Sequence, residues 1–191
     1  MERSLVYRFA GWSACLSGFA AVLTLITVPI FIAVGLPYDL ISSSAEIIWF
    51  ALIIPIAIAF HQQLRSSAWL LSLIALVIGI VGLIYSTVVT FLLNFGSAGF
   101  GDSGIFLTAT IGFWFLMTSS LFLSNKLQPR GLSWLGILIG ASYMMGLLGL
   151  LFMGSLIMIF GIHVLVVTLL YPIWAIWTGR VLLNRIDHKF V

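Results

Sequence analysis

Residues 67–93 read SAWLLSLIALVIGIVGLIYSTVVTFLL, from Ser67 to Leu93, with no charged side chain anywhere in the run. A helix needs about 20 apolar residues to cross the hydrocarbon core of a bilayer. This stretch exceeds that length and lacks the strict alternation of a half-buried strand. Strands left open in lipid would also strand their backbone hydrogen-bonding groups, so a membrane helix is the expected form.

Five other stretches repeat the pattern. Working outward, apolar spans are predicted at Phe9–Val34, Ser44–Phe60, Ile105–Leu123, Leu132–Met153 and Leu156–Thr178. With Ser67–Leu93 they make six transmembrane helices in one all-α domain covering residues 1–191. Composition agrees. Hydrophobic residues are 62% of the 191-residue chain and charged residues 7%, with a mean hydropathy of +1.25. A soluble domain carries about 25% charged residues, so this chain has too few to cover a water-facing surface.

Charge sets the expected orientation. Arg3 and Arg8 precede the first span, and Arg65 lies between the second and third. Lys126 and Arg130 lie between the fourth and fifth, and Arg180, Arg185 and Lys189 follow or close the last. These are all eight basic residues, and an even number of spans puts every one on the same side. The opposite loops hold Asp39 and Asp102, with Glu46 at their edge. The positive-inside rule then assigns both termini to the cytoplasm. The net charge is +3, but the eight Lys and Arg are spread over four segments rather than clustered, which argues against a nucleic-acid surface. Trp12, Trp69, Trp134, Trp177 and Trp49 fall at span ends, as interfacial anchors do. Trp114 falls mid-span, where packing between helices is expected.

A weak repeat runs through the chain. Arg8 and Trp12, Arg65 and Trp69, and Arg130 and Trp134 share one spacing, and Tyr171-Pro172-Ile173 echoes Ile54-Pro55-Ile56. One reading is three tandem helical hairpins; the other is that interfacial Arg and Trp recur in any such protein.

Cys15 is the only cysteine, so no intrachain disulfide forms. Ser13-Ala14-Cys15 resembles the end of a lipoprotein cleavage site. The apolar run continues well past it, whereas a cleaved signal has its apolar core before the site. Cys15 is therefore expected to be a small packing residue.

Candidate site residues each have a functional and a structural reading. Glu46 is a carboxylate at the edge of a span, a costly and often functional placement. Ser43-Ser44-Ala45-Glu46 also has the spacing of a capping box, with Ser43 capping the second helix and Glu46 reaching back to it. The cap is the preferred reading. His163 lies roughly 11 Å into the last span at 1.5 Å per residue, where an imidazole serves as a relay, a ligand contact or a neutral interhelical hydrogen-bonding group. His61 and His188 are too far along the chain to join it in a metal site. Pro55 and Pro172 each free a carbonyl one turn earlier, on Ala51 and Thr168. Broken helices line some transport sites, and packed kinks are the alternative. With Trp114, these residues are the candidate ligand contacts.

The segment Asn94–Gly104, NFGSAGFGDSG, is a glycine-rich outer loop without the Lys-Ser/Thr of a phosphate loop. Gly136 and Gly140 form a GxxxG pair, Ser142 and Gly146 are spaced alike, and Ala10, Ala14 and Gly18 line a stripe on the first helix. These suit close helix packing within the chain or against a second copy or a membrane partner. No catalytic constellation, metal motif or cofactor motif is present in the sequence.

Arg8-Phe9-Ala10-Gly11, the run from Pro129 to Gly136 (PRGLSWLG) and the run from Tyr171 to Trp177 (YPIWAIW) before Gly179-Arg180 together resemble a family of bacterial six-helix membrane proteins defined only as a domain of unknown function. The resemblance implies a plasma-membrane protein of six helices and carries no substrate or catalytic residue with it. Three expectations follow: a non-enzymatic protein that packs with lipids or a membrane partner, a small transporter or ligand-binding protein built on kinked helices two and six, and a membrane-embedded enzyme.

Overall fold

The computed structural model describes residues 2–34, 38–95, 103–151 and 157–187, with side chains mainly within 4–27, 43–89, 109–148 and 166–185. Among these the protein is all-α. Helix α1 is Glu2–Val34, α2 is Tyr38–Phe95, α3 is Ser103–Asn125, α4 is Arg130–Leu151 and α5 is Ile157–Asp187. Over the described residues, four of the five are long and apolar enough to cross a membrane.

The expected second and third helices form the single element α2. Its backbone leaves helical geometry at one residue, Ala68, with φ −152° and ψ 55°. The non-helical link expected over residues 61–66 is instead helical up to Ser67. The break is sharp. His61 Nδ1 and Ser72 Oγ lie 3.0 Å apart, although eleven residues of straight helix would rise roughly 16 Å. Ser72 Oγ already donates to the Trp69 carbonyl at 3.0 Å, so its lone pair accepts from His61 Nδ1–H. Phe60, before the break, and Gly79, after it, both meet the Trp114 ring. Ala68 therefore folds α2 into two antiparallel arms, 38–67 and 69–95.

Other ends also move. Helix α1 begins seven residues before Phe9, and α5 runs nine residues beyond Thr178. Interfacial polar residues continue a helix when its backbone is already hydrogen-bonded, so hydropathy alone underestimates its length.

The helices close a ring: α1 packs on α2 and α5, α2 on α3, α3 on α4, and α4 on α5. Aromatic side chains fill the middle. Trp114, Trp174, Tyr171, Phe60, Phe115 and Phe122 are the largest fully buried residues. Span hydroxyls turn back on their own helices: Thr24 Oγ1 donates to the Ala20 carbonyl, Ser86 Oγ to Gly82 and Thr118 Oγ1 to Trp114. That is how a hydroxyl is satisfied where no water is available.

Outside, the pattern of a soluble protein is inverted. Phe19 is 64% exposed, and Val77, Val81, Ile84, Leu138 and Met145 are each near half exposed. Trp12, Trp69 and Trp134 also face outward, each four residues beyond an arginine. Trp49, expected among the interfacial anchors, is buried instead and lies on Tyr171 with ring centroids 4.7 Å apart. It shares its helix face with Ile53, Ile56 and Phe60, which turns it inward.

Contacts gather the basic residues at one end. Gly11 faces Gly179 and Leu183, Gly131 faces Trp177, and Phe60 meets Phe122. Arg8, Arg65, Lys126, Arg130, Arg180 and Arg185 all flank these contacts. Glu46 lies toward the opposite end, about 28 Å along the first arm of α2 from Arg65 at 1.5 Å per residue.

Candidate functional site

Glu46 is the one acidic residue whose side chain is described. The preferred reading of it as part of a capping box is overturned by the start of α2 at Tyr38. An N-cap residue stands outside helical geometry, whereas Ser43 is already inside the helix. Glu46 is thus a mid-helix carboxylate in a half-buried position, on the face that carries Trp49 and Phe50 one turn later. It lies within electrostatic reach of Tyr143 on α4. No cationic side chain among the described residues acts on it.

Below Glu46 the interior is aromatic and closely packed. Phe115 stacks on Tyr143 at 6.3 Å and meets Tyr171 edge-on at 6.2 Å. Tyr171, fully buried on α5, donates its hydroxyl to Ser17 Oγ on α1 at 2.9 Å, and Ser17 donates onward to the Ala14 carbonyl at 2.9 Å. Further toward the basic end, Trp174 meets Phe115 at 4.8 Å and Phe60 at 5.9 Å. Trp114 is in contact with both Phe60 and Trp174, so it does pack between helices. Its indole Nε1 is buried without a hydrogen-bond partner.

The proline candidates sit differently. Helical geometry continues through Pro55 and Pro172. Pro55 is half-buried. Pro172 is buried beside α1, where a Cβ on Gly18 would stand 3.3 Å from the Pro172 carbonyl oxygen. The helix α1 thus packs directly on the proline turn, which makes it a filled crossing rather than an opening. His163 belongs to α5, and its side chain lies outside the described residues, as do those of Asp39 and Asp102 and most of the loop 94–104. The Glu46–His163 pairing is therefore not among the described contacts. Trp114, Pro172 and the Glu46 neighbourhood share one bundle interior, but no described contact joins Glu46 to Trp114.

The glycine stripe on α4 faces inward. A Cβ on Gly140 would stand 2.7 Å from the Leu116 amide nitrogen of α3, and one on Gly136 would run into Ser119 Oγ. The face that the sequence offered to a second copy is occupied within the chain. No cluster of His, Cys, Asp or Glu suited to a metal ion occurs among the described residues. Sequence reasoning missed Tyr143, Tyr171, Trp174 and Ser17. Each reads alone as an ordinary membrane residue, and only the helix crossings bring them together.

Comparison with known proteins finds no matching family model, no matching curated protein and no matching solved structure.

Proposed function

We propose that this chain is a bacterial plasma-membrane protein of six crossings, with both termini cytoplasmic, acting as a non-enzymatic bundle that packs with lipids and membrane partners. The observation that carries the reading is the reversed distribution of side chains: aromatic rings inside, with span hydroxyls bonded to their own backbones, and branched apolar residues outside. Six crossings are supported by the fold-back at Ala68. It divides the 47-residue apolar stretch Ser43–Val89 into two lengths that each reach the roughly 20 residues a crossing needs. The cytoplasmic assignment follows from the basic end.

Cysteine labelling tests the topology. In a Cys15→Ser background, Ser66→Cys and Lys126→Cys are expected to react with an impermeant maleimide only in inverted vesicles. Ser44→Cys is expected to react in intact cells. Protection of Ser66→Cys from both sides would mean that α2 does not turn at the membrane surface, and six crossings would fail.

A second reading is favoured by the placement of Glu46: a small transporter or ligand-binding protein using Glu46 with His163, Trp114, Pro55 and Pro172. A half-buried carboxylate beside aromatic rings, with no described cation, is a setting in which a cationic ligand is stabilised by both charge and ring faces.

A further inference from the structure

Most of the buried polar atoms without partners lie toward the basic end. Arg185 donates from Nη1 to Gln63 Oε1 at 3.0 Å and from Nη2 to the Leu127 carbonyl. A guanidinium has donors only, so the Gln63 amide must turn its oxygen to Arg185 and its nitrogen away. That Nε2, in a residue 6% exposed, has no acceptor. Gln128 follows Leu127 directly; it is 8% exposed, and its Nε2 is also unpartnered. A buried amide donor without an acceptor is costly; here one such amide is bonded to half-buried Arg185, and the other follows the residue whose carbonyl Arg185 bonds.

The surplus has a definite chemistry. At Gln63 and Gln128 it consists of amide donors, beside the positive charge of Arg185. No carboxylate among the described residues pairs with Arg185, and Glu46 lies toward the other end of the bundle. Lys126 and Arg130 flank Gln128 two residues away on either side, Arg65 stands two residues from Gln63, and all three are exposed, adding to the positive field at the mouth. Gln62, by contrast, leaves its oxygen unpartnered. Arg185 closes the apolar stretch Val166–Arg185.

We propose that Arg185, Gln63 and Gln128 form a binding site for a phosphate group, the chemistry shared by an anionic phospholipid headgroup and free phosphate. Arg185 keeps its bonds to Gln63 and Leu127 and offers its remaining N–H groups and its charge to the phosphate, and the two amide nitrogens supply further hydrogen bonds. The site rests on the reading that this end lies at the membrane surface.

The test uses the full chain in nanodiscs and in delipidated micelles, titrated with short-chain phosphatidylglycerol, short-chain phosphatidylcholine and inorganic phosphate. Phosphatidylglycerol is expected to bind saturably and more tightly than phosphatidylcholine. Arg185→Ala and the pair Gln63→Leu with Gln128→Leu are each expected to weaken it about tenfold. Gln63→Leu also removes the oxygen that accepts from Arg185 Nη1, so the stability control is Gln128→Leu alone, which removes an unsatisfied buried group and is expected to hold or raise the thermal midpoint; loss of binding there is not loss of fold. Inorganic phosphate binding as tightly as the lipid assigns the site to the free anion, with the same residues. An unchanged phosphatidylglycerol affinity in the glutamine pair overturns the site. Failure of the wild-type chain to enter nanodiscs overturns the membrane reading beneath it.

Discussion

The Tyr171 hydroxyl donates to Ser17 Oγ at 2.9 Å, joining two helices whose residues are 154 positions apart. Ser17 donates its own hydroxyl hydrogen bond to the Ala14 carbonyl, so the serine is both acceptor and donor in a site with no exposed surface. The two ends of the bond are not equivalent. Tyr171→Phe removes the donor and leaves Ser17 with its backbone partner, whereas Ser17→Ala leaves the buried tyrosine O–H without its acceptor. The expected losses are about 0.6 kcal/mol for Tyr171→Phe and about 1–3 kcal/mol for Ser17→Ala. Unfolding midpoints in detergent check the order; equal losses would show that the hydroxyl finds another acceptor.

The turn at Ala68 brings Gly79 under the Trp114 indole. A Cβ on Gly79 would stand 2.5 Å from Trp114 Cδ1 and 2.8 Å from Cγ, the rigid part of the ring. Gly79→Ala is expected to destabilise the bundle by about 1–3 kcal/mol through overpacking. Trp114→Phe alone leaves a cavity and costs stability as well. Together they should cost less than their sum, because the smaller ring makes room for the new methyl, and contacting residues couple in this way. A double-mutant cycle measures the difference. Strict additivity would mean that the second arm of α2 does not lie on Trp114.

What could be read in the sequence follows from which physical signals are local. Span existence depends on runs of apolar residues, and Ser67–Leu93 declares itself without help. The identity of Ser43 does not reveal whether it caps a helix or sits inside one, because Ser-x-x-Glu occurs in both settings. The backbone from Tyr38 decides it. Trp49 and Trp12 have similar neighbours in sequence and opposite fates, since only helix packing chooses which face turns inward. The Gly136–Gly140 spacing announced a close crossing but not its partner, which is α3 of the same chain. Least legible were Gln63 and Gln128. Amides near span ends usually face water, and their placement beside the Arg185 bonds to Gln63 and Leu127 exists only once α2, the α3–α4 turn and α5 meet.

The crossing of α1 on α5 is set by small residues on both sides. A Cβ on Gly179 would stand 2.5 Å from Cys15 Sγ and 2.7 Å from the Gly11 carbonyl oxygen. The sulfur belongs to a side chain that can rotate, but the carbonyl is backbone and cannot yield without parting the helices. Gly179→Ala is therefore expected to cost about 1–3 kcal/mol, and Cys15→Ala should recover only part of it. Stability in detergent and the rate of Cys15 alkylation report on this together: the glycine variant should unfold earlier and react faster. Full recovery by Cys15→Ala would mean that the sulfur, not the backbone, sets the approach.

Glu46 separates the two functional readings. With no described cation beside it, a carboxylate charge at this half-buried position would stand uncompensated, and such placement is costly. If the bundle serves only to pack with lipids and partners, Glu46→Gln relieves that cost, and the unfolding midpoint should rise, by about 1 kcal/mol or less at a half-buried position. A carboxylate engaged by an imidazole or by a bound cation behaves in the opposite way, because neutralising it removes a partner. The comparison is made on the full chain in micelles, with His163→Ala measured alongside. A rise for Glu46→Gln that is unaffected by His163→Ala supports the packing protein. A fall that His163→Ala abolishes identifies a coupled pair, and the ligand-binding reading then takes first place.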